Sequence, residues 1–383
     1  MRTQQLVWSD RVGWSAGKAA SGEAAMVLYF GTRGALACGT RYHELRGMFP
    51  KAHILGCSTG GQINNNDIND DEVVAAAIGF DATALRLCRE DISGPQQSRA
   101  CGEQLGHALN ADDLAGVFVL SDGLNVNGSE LVAGITKAIG PRIPLTGGLA
   151  GDGADFKETL VGGDCPPRSG MVAGIGFYGP AIRVGHGSAG GWDLFGPRRR
   201  VTKSAGNVLF ELDGEPALDL YERYLGPEEA QGLPGSALLF PIQVYDAERP
   251  DSAVVRTVLA VDRAARSMIF AGDVPQGWTA QLMRGNFDRL AAGAADAARQ
   301  ARTGLGVADA DQRFSILVSC IGRRLLMGQR TTDEAEAAGA ELGADTPRVG
   351  FYSYGEISPH ANSGLCELHN QTMTVTTLAE VRG

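Results

Sequence analysis

One motif is written three times in this chain, and that repetition narrows the folds open to it. The first copy is a strand-like run at 26–30 ending at Gly31, a helical stretch at 42–49, and a strand at 53–55. That strand enters G-C-S-T-G-G-Q-I at residues 56–63. The second copy runs from 117–120 through Ser121-Asp122-Gly123 and a helix at 129–139. A strand at 143–145 then enters T-G-G-L-A-G-D-G at 146–153. The third runs from 315–320 through an Ala-rich helix at 332–342, and 348–349 enters G-F-Y-S-Y-G-E-I at 350–357. The first and last copies align without gaps as G-x-x-[ST]-x-G-[QE]-I. The middle copy keeps Thr146, Gly148 or Gly151, and Asp152. Each copy has the length of one βαβ unit, about thirty residues. A glycine-rich turn after the second strand puts backbone N–H groups and small side chains where open α/β sheets bind ligands.

A chain of 383 residues is long for a single core, so two domains are expected, 1–190 and 191–383, divided near Gly190-Gly191. The fold class is mixed α/β, with mixed sheets built from βαβ-like units and β-meanders. In the first half, 73–80 and 84–89 read as strands, 98–110 as a helix, and 171–178 and 182–184 as strands flanking a Gly179-Pro180 hairpin turn. In the second half, 200–212 reads as one long strand ending at an Asp213-Gly214 turn, with a helix at 217–225 behind Pro216. Segments 238–244, 254–261 and 266–271 read as meander strands. The longest helix is predicted from a Thr279 cap to Gly304, and the final strand over 367–377.

A net charge of −10 opposes a nucleic-acid partner. Pro197-Arg198-Arg199-Arg200 and Arg323-Arg324 are the basic exceptions, read as solvated faces or strand-edge guards. No apolar run approaches the ~20 residues of a membrane span. Seven cysteines without C-x-x-C spacing fit reduced thiols, so a cytoplasmic protein is expected.

Several chemistries fail on context. Gly56-Cys57-Ser58-Thr59-Gly60 spells G-x-S-x-G, but a loop composition follows it where a nucleophile elbow requires a helix. An enzyme using Cys57 or Ser58 is therefore the minor alternative. Residues 174–179 spell G-x-G-x-x-G inside an apolar strand followed by Pro180, which removes the helix N-terminus a dinucleotide needs. The acidic run 67–72 lacks the glycine and distal glutamate of a calcium loop and reads as solvated. No paired-histidine zinc motif occurs. His186 and His360 lie closest in sequence to the glycine-rich turns; a structural role is the leading reading for both, and they are the candidates if a haem is held by a single histidine, which leaves no local signature. What remains is a binding surface at Gly56, Cys57, Ser58, Thr59, Gly60, Gly61, Thr146, Gly147, Gly148, Asp152, Ser353, Gly355 and Glu356. Its backbone N–H groups and hydroxyls suit anionic or zwitterionic groups, with Asp152 or Glu356 receiving an ammonium.

Four segments in order carry a family resemblance: G-C-S-T-G-G-Q-I, T-G-G-L-A-G-D-G, the stretch 199–226 (R-R-V-T-K-S-A-G…Y-E-R-Y-L-G), and S-Y-G-E-I-S-P followed by L-H-N-Q-T. Together they resemble the FIST family, with an N-terminal half to about Gly190 and a C-terminal half after it. The resemblance implies a non-enzymatic sensory module that binds a small ligand. One version binds haem and senses nitric oxide through a separate histidine kinase; the alternative senses an amino-acid-like metabolite without haem.

Overall fold

The computed structural model describes residues 1–16, 23–306, 312–361 and 363–381. The three motif copies fold into three units of one design. In the first, Met26–Gly31 and His53–Ser58 pair in parallel and Val73–Gly79 pairs antiparallel on the other side of Met26–Gly31. In the second, Leu114–Ser121 and Leu145–Leu149 are the parallel pair and Met171–Tyr178 the antiparallel neighbour. In the third, these places are taken by Arg313–Cys320, Arg348–Ser353 and Met373–Glu380.

The strand that follows each glycine-rich turn leaves its own unit. Gln62–Asn64 of the first unit pairs with Arg348–Ser353 of the third. Gly355–Pro359 of the third pairs with Leu145–Leu149 of the second. Val161–Gly163 of the second pairs with His53–Ser58 of the first, closing the cycle. Backbone hydrogen bonds repeat that cycle inside the turns. Gly60 N donates to Tyr352 O (2.8 Å), Tyr354 N to Leu149 O (3.2 Å), and Gly151 N to Ser58 O (2.9 Å). In every unit the donor stands two residues after the acceptor, which aligns Gly56 with Gly147 and Gly350. That register anchors the middle copy on Gly147.

These three glycines share a steric reason. A Cβ on any of them would lie under 3.0 Å from the carbonyl oxygen of its partner on the adjacent parallel strand, Tyr29, Val119 or Leu317. Only glycine lets the second strand come this close before the chain turns.

The sheets meet over one core. Leu28 and Phe30, Phe118 and Leu120, and Ile316, Val318 and Phe351 come from the three units in turn. Phe30 stacks on Phe351 with ring centroids 4.7 Å apart. Full burial of each such ring is worth about 1.5–3 kcal/mol, so the interlock is sealed by apolar contact as well as by strand pairing.

Between Ile182–Ala189 and the helix Phe287–Gly304 lies a β-rich segment with its own sheet. Its strand order is Arg249–Arg256, Ile242–Asp246, Thr279–Arg284, Asp193–Ala205, Val208–Leu212, Ser267–Phe270, Val258–Asp262. Its core is separate, built around Val201, Leu218, Tyr221, Val244 and Phe270. Strand pairing also crosses position 190, since Ile182–Ala189 pairs with Met373–Glu380.

Many expected elements form at or near their predicted bounds: Ala217–Leu225 behind Pro216, Thr332–Leu342, and Gly128–Ile139 under an Asn127 cap. Four do not. The long helix starts at Phe287, capped by Asn286 Oδ1 accepting from Arg289 N at 3.2 Å, and Thr279–Arg284 is a strand. Its buried Ala280 and Leu282 keep strand period, which the Ala-rich stretch beyond obscures. The predicted strand 200–212 is two, Asp193–Ala205 and Val208–Leu212, hinged at Gly206 with φ +56°. The predicted final strand is also two, Cys366–His369 and Met373–Glu380, in different sheets, broken at Gln371 with φ +61°. Met171–Tyr178 and Ile182–Ala189 turn at Gly179 but enter different sheets, so they form no hairpin.

Candidate functional site

The hydroxyl of the motif meets the amide or acid three residues later in the first and third copies. In the first, the Gln62 amide lies 2.9 Å from Thr59 Oγ1. In the third, Ser353 Oγ donates to Glu356 Oε1 at 2.6 Å. All four side chains are buried. The pair pins the bend that sends each strand into its neighbour's sheet. The middle copy has Ala150 and Gly153 in these places and lacks the bond.

Glu356 also accepts from Thr372 N (3.2 Å) and Oγ1 (2.9 Å), yet burial outweighs these donors and pushes its carboxyl up to about 8. A carboxyl raised in the folded state contributes stability that is complete below its unfolded value and is lost as pH rises through about 8. Glu356→Gln should therefore flatten the loss of stability between about pH 4.5 and 8 in denaturant titrations. An unchanged pH profile in the variant would show that Glu356 is not the group responsible.

A cleft of about 580 Å³ opens where the three units converge. Thr32 and Arg33 follow the first strand of unit one, and Thr59, Gly60 and Gly61 follow its second. Asp152, Gly153, Ala154 and Asp155 come from the turn of unit two. Ile321, Arg324 and Leu325 come from the helix Ile321–Met327 of unit three. All lie past the carboxyl ends of parallel strands, the usual position of a ligand in α/β sheets.

Arg324 is the organising cation of the cleft. Its guanidinium grips Asp70 through two bonds of 2.6 Å, donates to Gly60 O, and lies 5.3 Å over the Tyr352 ring. A Cβ on Gly61 would overlap its Nη1, and Gly61 has φ +135°, so the Gly60-Gly61 pair makes room for this arginine. Arg33 is held more loosely, with Nη2 3.4 Å from Asp155 and Nη1 3.9 Å from Asp152.

Asp152 is heavily engaged. Its carboxylate accepts from Lys157 N and Glu158 N at 2.9 Å and from the Tyr354 hydroxyl. Burial pushes its carboxyl up, but the Glu158 N–H, the Tyr354 hydroxyl and the Lys157 N–H prevail and hold it below the usual range.

The expected binding residues divide between the cleft and its foundations. Thr59, Gly60, Gly61 and Asp152 line the cleft. Gly56, Cys57, Ser58, Thr146, Gly147, Gly148, Ser353, Gly355 and Glu356 lie beneath it in the strands and do not line it. Burial pushes the Cys57 thiol well up, and Ser58 Oγ accepts from Leu160 N at 2.8 Å. His186 and His360 are also outside the cleft lining. His186 stands between Gly185 and Gly187, whose α-carbons press on the carbonyls of Ala301 and Ala297 in the long helix, and burial lowers its pKa. His360 Nε2 lies 3.0 Å from Ala253 O.

Sequence reasoning missed Arg33, Asp155, Asp70 and both members of Arg323-Arg324. The reading of Arg323-Arg324 as a solvated or edge pair is corrected: Arg324 lines the cleft and Arg323 is fully buried. Adjacent helical residues face about 100° apart, so one can turn outward and the other into the body. Arg323 Nε donates to Glu334 Oε2 (2.9 Å), and Ser319 Oγ and Tyr352 OH donate to Glu334 Oε1 (2.8 and 2.7 Å). The acidic residue on the Ala-rich helix was the available signal.

Among the described residues no group of three or more His, Cys, Asp or Glu is placed to hold a metal ion. No helix there is long and apolar enough to cross a membrane.

Fold and site together define a mixed α/β protein of three interlocked units, with a polar cleft on their shared carboxyl edge and a β-rich insertion. The chain belongs to the FIST family: the FIST N domain matches residues 25–215 and the FIST C domain residues 217–359. FIST domains are associated with signal-transduction sensing. The uncharacterized protein MJ1623 of Methanocaldococcus jannaschii is 27% identical over 191 residues, covering 46% of this chain and 35% of that protein. The match thus spans about a third of that relative's length.

Proposed function

We propose that this chain is a small-ligand sensor without catalytic activity. Its ligand is a polar metabolite carrying a carboxylate and an ammonium, and it binds in the cleft. The observation that carries this reading is that one cleft is lined by residues of all three units. A molecule there touches each unit, so its preference for one arrangement is passed to the whole body. Arg33 is the carboxylate's partner, because its two contacts to acids are the looser ones. Asp155, about half exposed, receives the ammonium. Asp152 holds the wall between them. A separate signalling protein such as a histidine kinase is the output partner.

The haem version of the resemblance asks for an imidazole facing room for a porphyrin. His186 and His360 do not line the cleft, and the cleft's walls carry five charged side chains: Arg33, Asp70, Asp152, Asp155 and Arg324. These residues do not suit that group, and we place the metabolite version ahead.

Thermal-shift measurements over the amino acids should find at least one that stabilises the protein, and Arg33→Ala should reduce that affinity about tenfold. No stabilisation by any amino acid, or equal affinity in Arg33→Ala, would sink the placement. A Soret band that shifts with nitric oxide, after growth with haem precursor, would favour the gas-sensing version instead.

A further inference from the structure

A second cavity, of about 230 Å³, lies between the β-rich insertion and the second unit. Its lining includes Ser129, Arg256, Asp273, Trp278, Glu367 and Leu368, none of which lines the cleft. Its volume equals that of roughly eight waters at ~30 Å³ each, enough for a small organic molecule.

The cavity is built around a buried arginine that has no carboxylate in direct contact. Arg256 is only 7% exposed. Its Nε donates to Asp273 O (2.9 Å), and Nη1 to Val255 O (3.2 Å) and Leu368 O (3.1 Å). Nη2 has no hydrogen bond among the described residues, and the Glu367 and Asp273 carboxyls attract the guanidinium only from beyond contact distance, so burial prevails and lowers its pKa to about 10. Gly272 clears the space for this group: a Cβ there would come within 3.0 Å of Nε.

Two further polar atoms in the same lining are buried and unpartnered, Ser129 Oγ and Glu367 Oε2. Ser129 is in the first turn of the helix Gly128–Ile139, whose N-terminal end favours negative charge. Burial pushes the Glu367 carboxyl up, against the pull of His360 and Arg256. An arginine nitrogen and a hydroxyl are thus two donors lacking acceptors, and Val132, Val254, Trp278 and Leu368 supply apolar walls.

We propose that this cavity is a second binding site, for a small organic carboxylate whose oxygens complete Arg256 and Ser129 and whose apolar substituent lies against Trp278. A carboxylate seated there bridges the insertion and the helix of the second unit. This assignment stands independently of the reading of the cleft.

The test is calorimetric titration of the full chain with acetate, propionate and isobutyrate, and with neutral isobutyramide. Trp278 fluorescence gives a second readout. Isobutyrate should bind saturably and the amide should not. Ser129→Ala should weaken isobutyrate about tenfold, the scale of one hydrogen bond to a charged group, and Arg256→Gln should abolish binding. Arg324→Ala should leave the affinity unchanged, because Arg324 belongs to the cleft. If Arg256→Gln fails to fold, the Ser129→Ala and isobutyramide results decide. Several outcomes overturn the proposal: no saturable binding of any of the three acids, equal binding of the amide, or an unaltered affinity in Ser129→Ala. Loss of binding in Arg324→Ala would move the event to the cleft.

Discussion

Gly147→Ala is expected to destabilise this protein by about 4 kcal/mol, the sum of an overpacked contact and a forced backbone conformation. Gly147 has φ +138°, and a Cβ there would overlap the Val119 carbonyl. Two other glycines separate the contributions. Gly350 has the same close approach, to Leu317 O, without a positive φ, so Gly350→Ala isolates the contact at about 2 kcal/mol. Gly140 has φ +91° and open space around it, so Gly140→Ala isolates the backbone term at about 2 kcal/mol. Urea unfolding of the three variants should rank Gly147→Ala clearly lowest. If it matched Gly140→Ala, the close approach of the parallel strands would not be what the motif's first glycine secures.

The second large effect is expected at the buried pair of unit three. Arg323 and Glu334 are both fully buried, with Arg323 Nη2 2.7 Å from Glu334 Oε2. Arg323 also donates to Gly190 O and, at 2.9 Å, to Leu290 O, so it ties three segments together. Arg323→Met strands the Glu334 carboxylate with only the Ser319 and Tyr352 hydroxyls and should cost about 3–5 kcal/mol. Glu334→Leu should cost a similar amount by stranding Arg323. The double variant removes both charges and should cost far less than the sum. Additive losses in this cycle would mean that the two residues act independently and that their pairing has little part in stability.

The motif was legible because each of its letters has a local physical job. The first glycine permits close strand approach, and the hydroxyl and the amide or acid three residues later bond to each other. The helices at 217–225 and 332–342 could be placed because Pro216 and the turn residues mark their ends. The misplacements have physical causes as well. Alanine counts toward a helix or a buried strand, so the start of the long helix was drawn back over Thr279–Arg284. A break made by a non-glycine residue at positive φ, Gln371, leaves no mark in an alternating run. The cleft's glycines and Thr59 could be read from the turn, but its arginines could not.

The sequence by itself determined that this chain contains three βαβ units of common design, each with a glycine where its second strand closes on the first. Periodicity, caps and glycines are local properties and survive without knowledge of the fold. The tertiary structure alone decided where each strand after the turn would pair, because a short strand carries no local record of its partner. It also decided the chemistry of the charges. Arg324 meets Asp70 across 254 positions, and Arg256 reaches Leu368 across 112. Whether a guanidinium is solvated, paired or buried alone depends on what distant segments bring to it, and that is fixed only when the three units interlock.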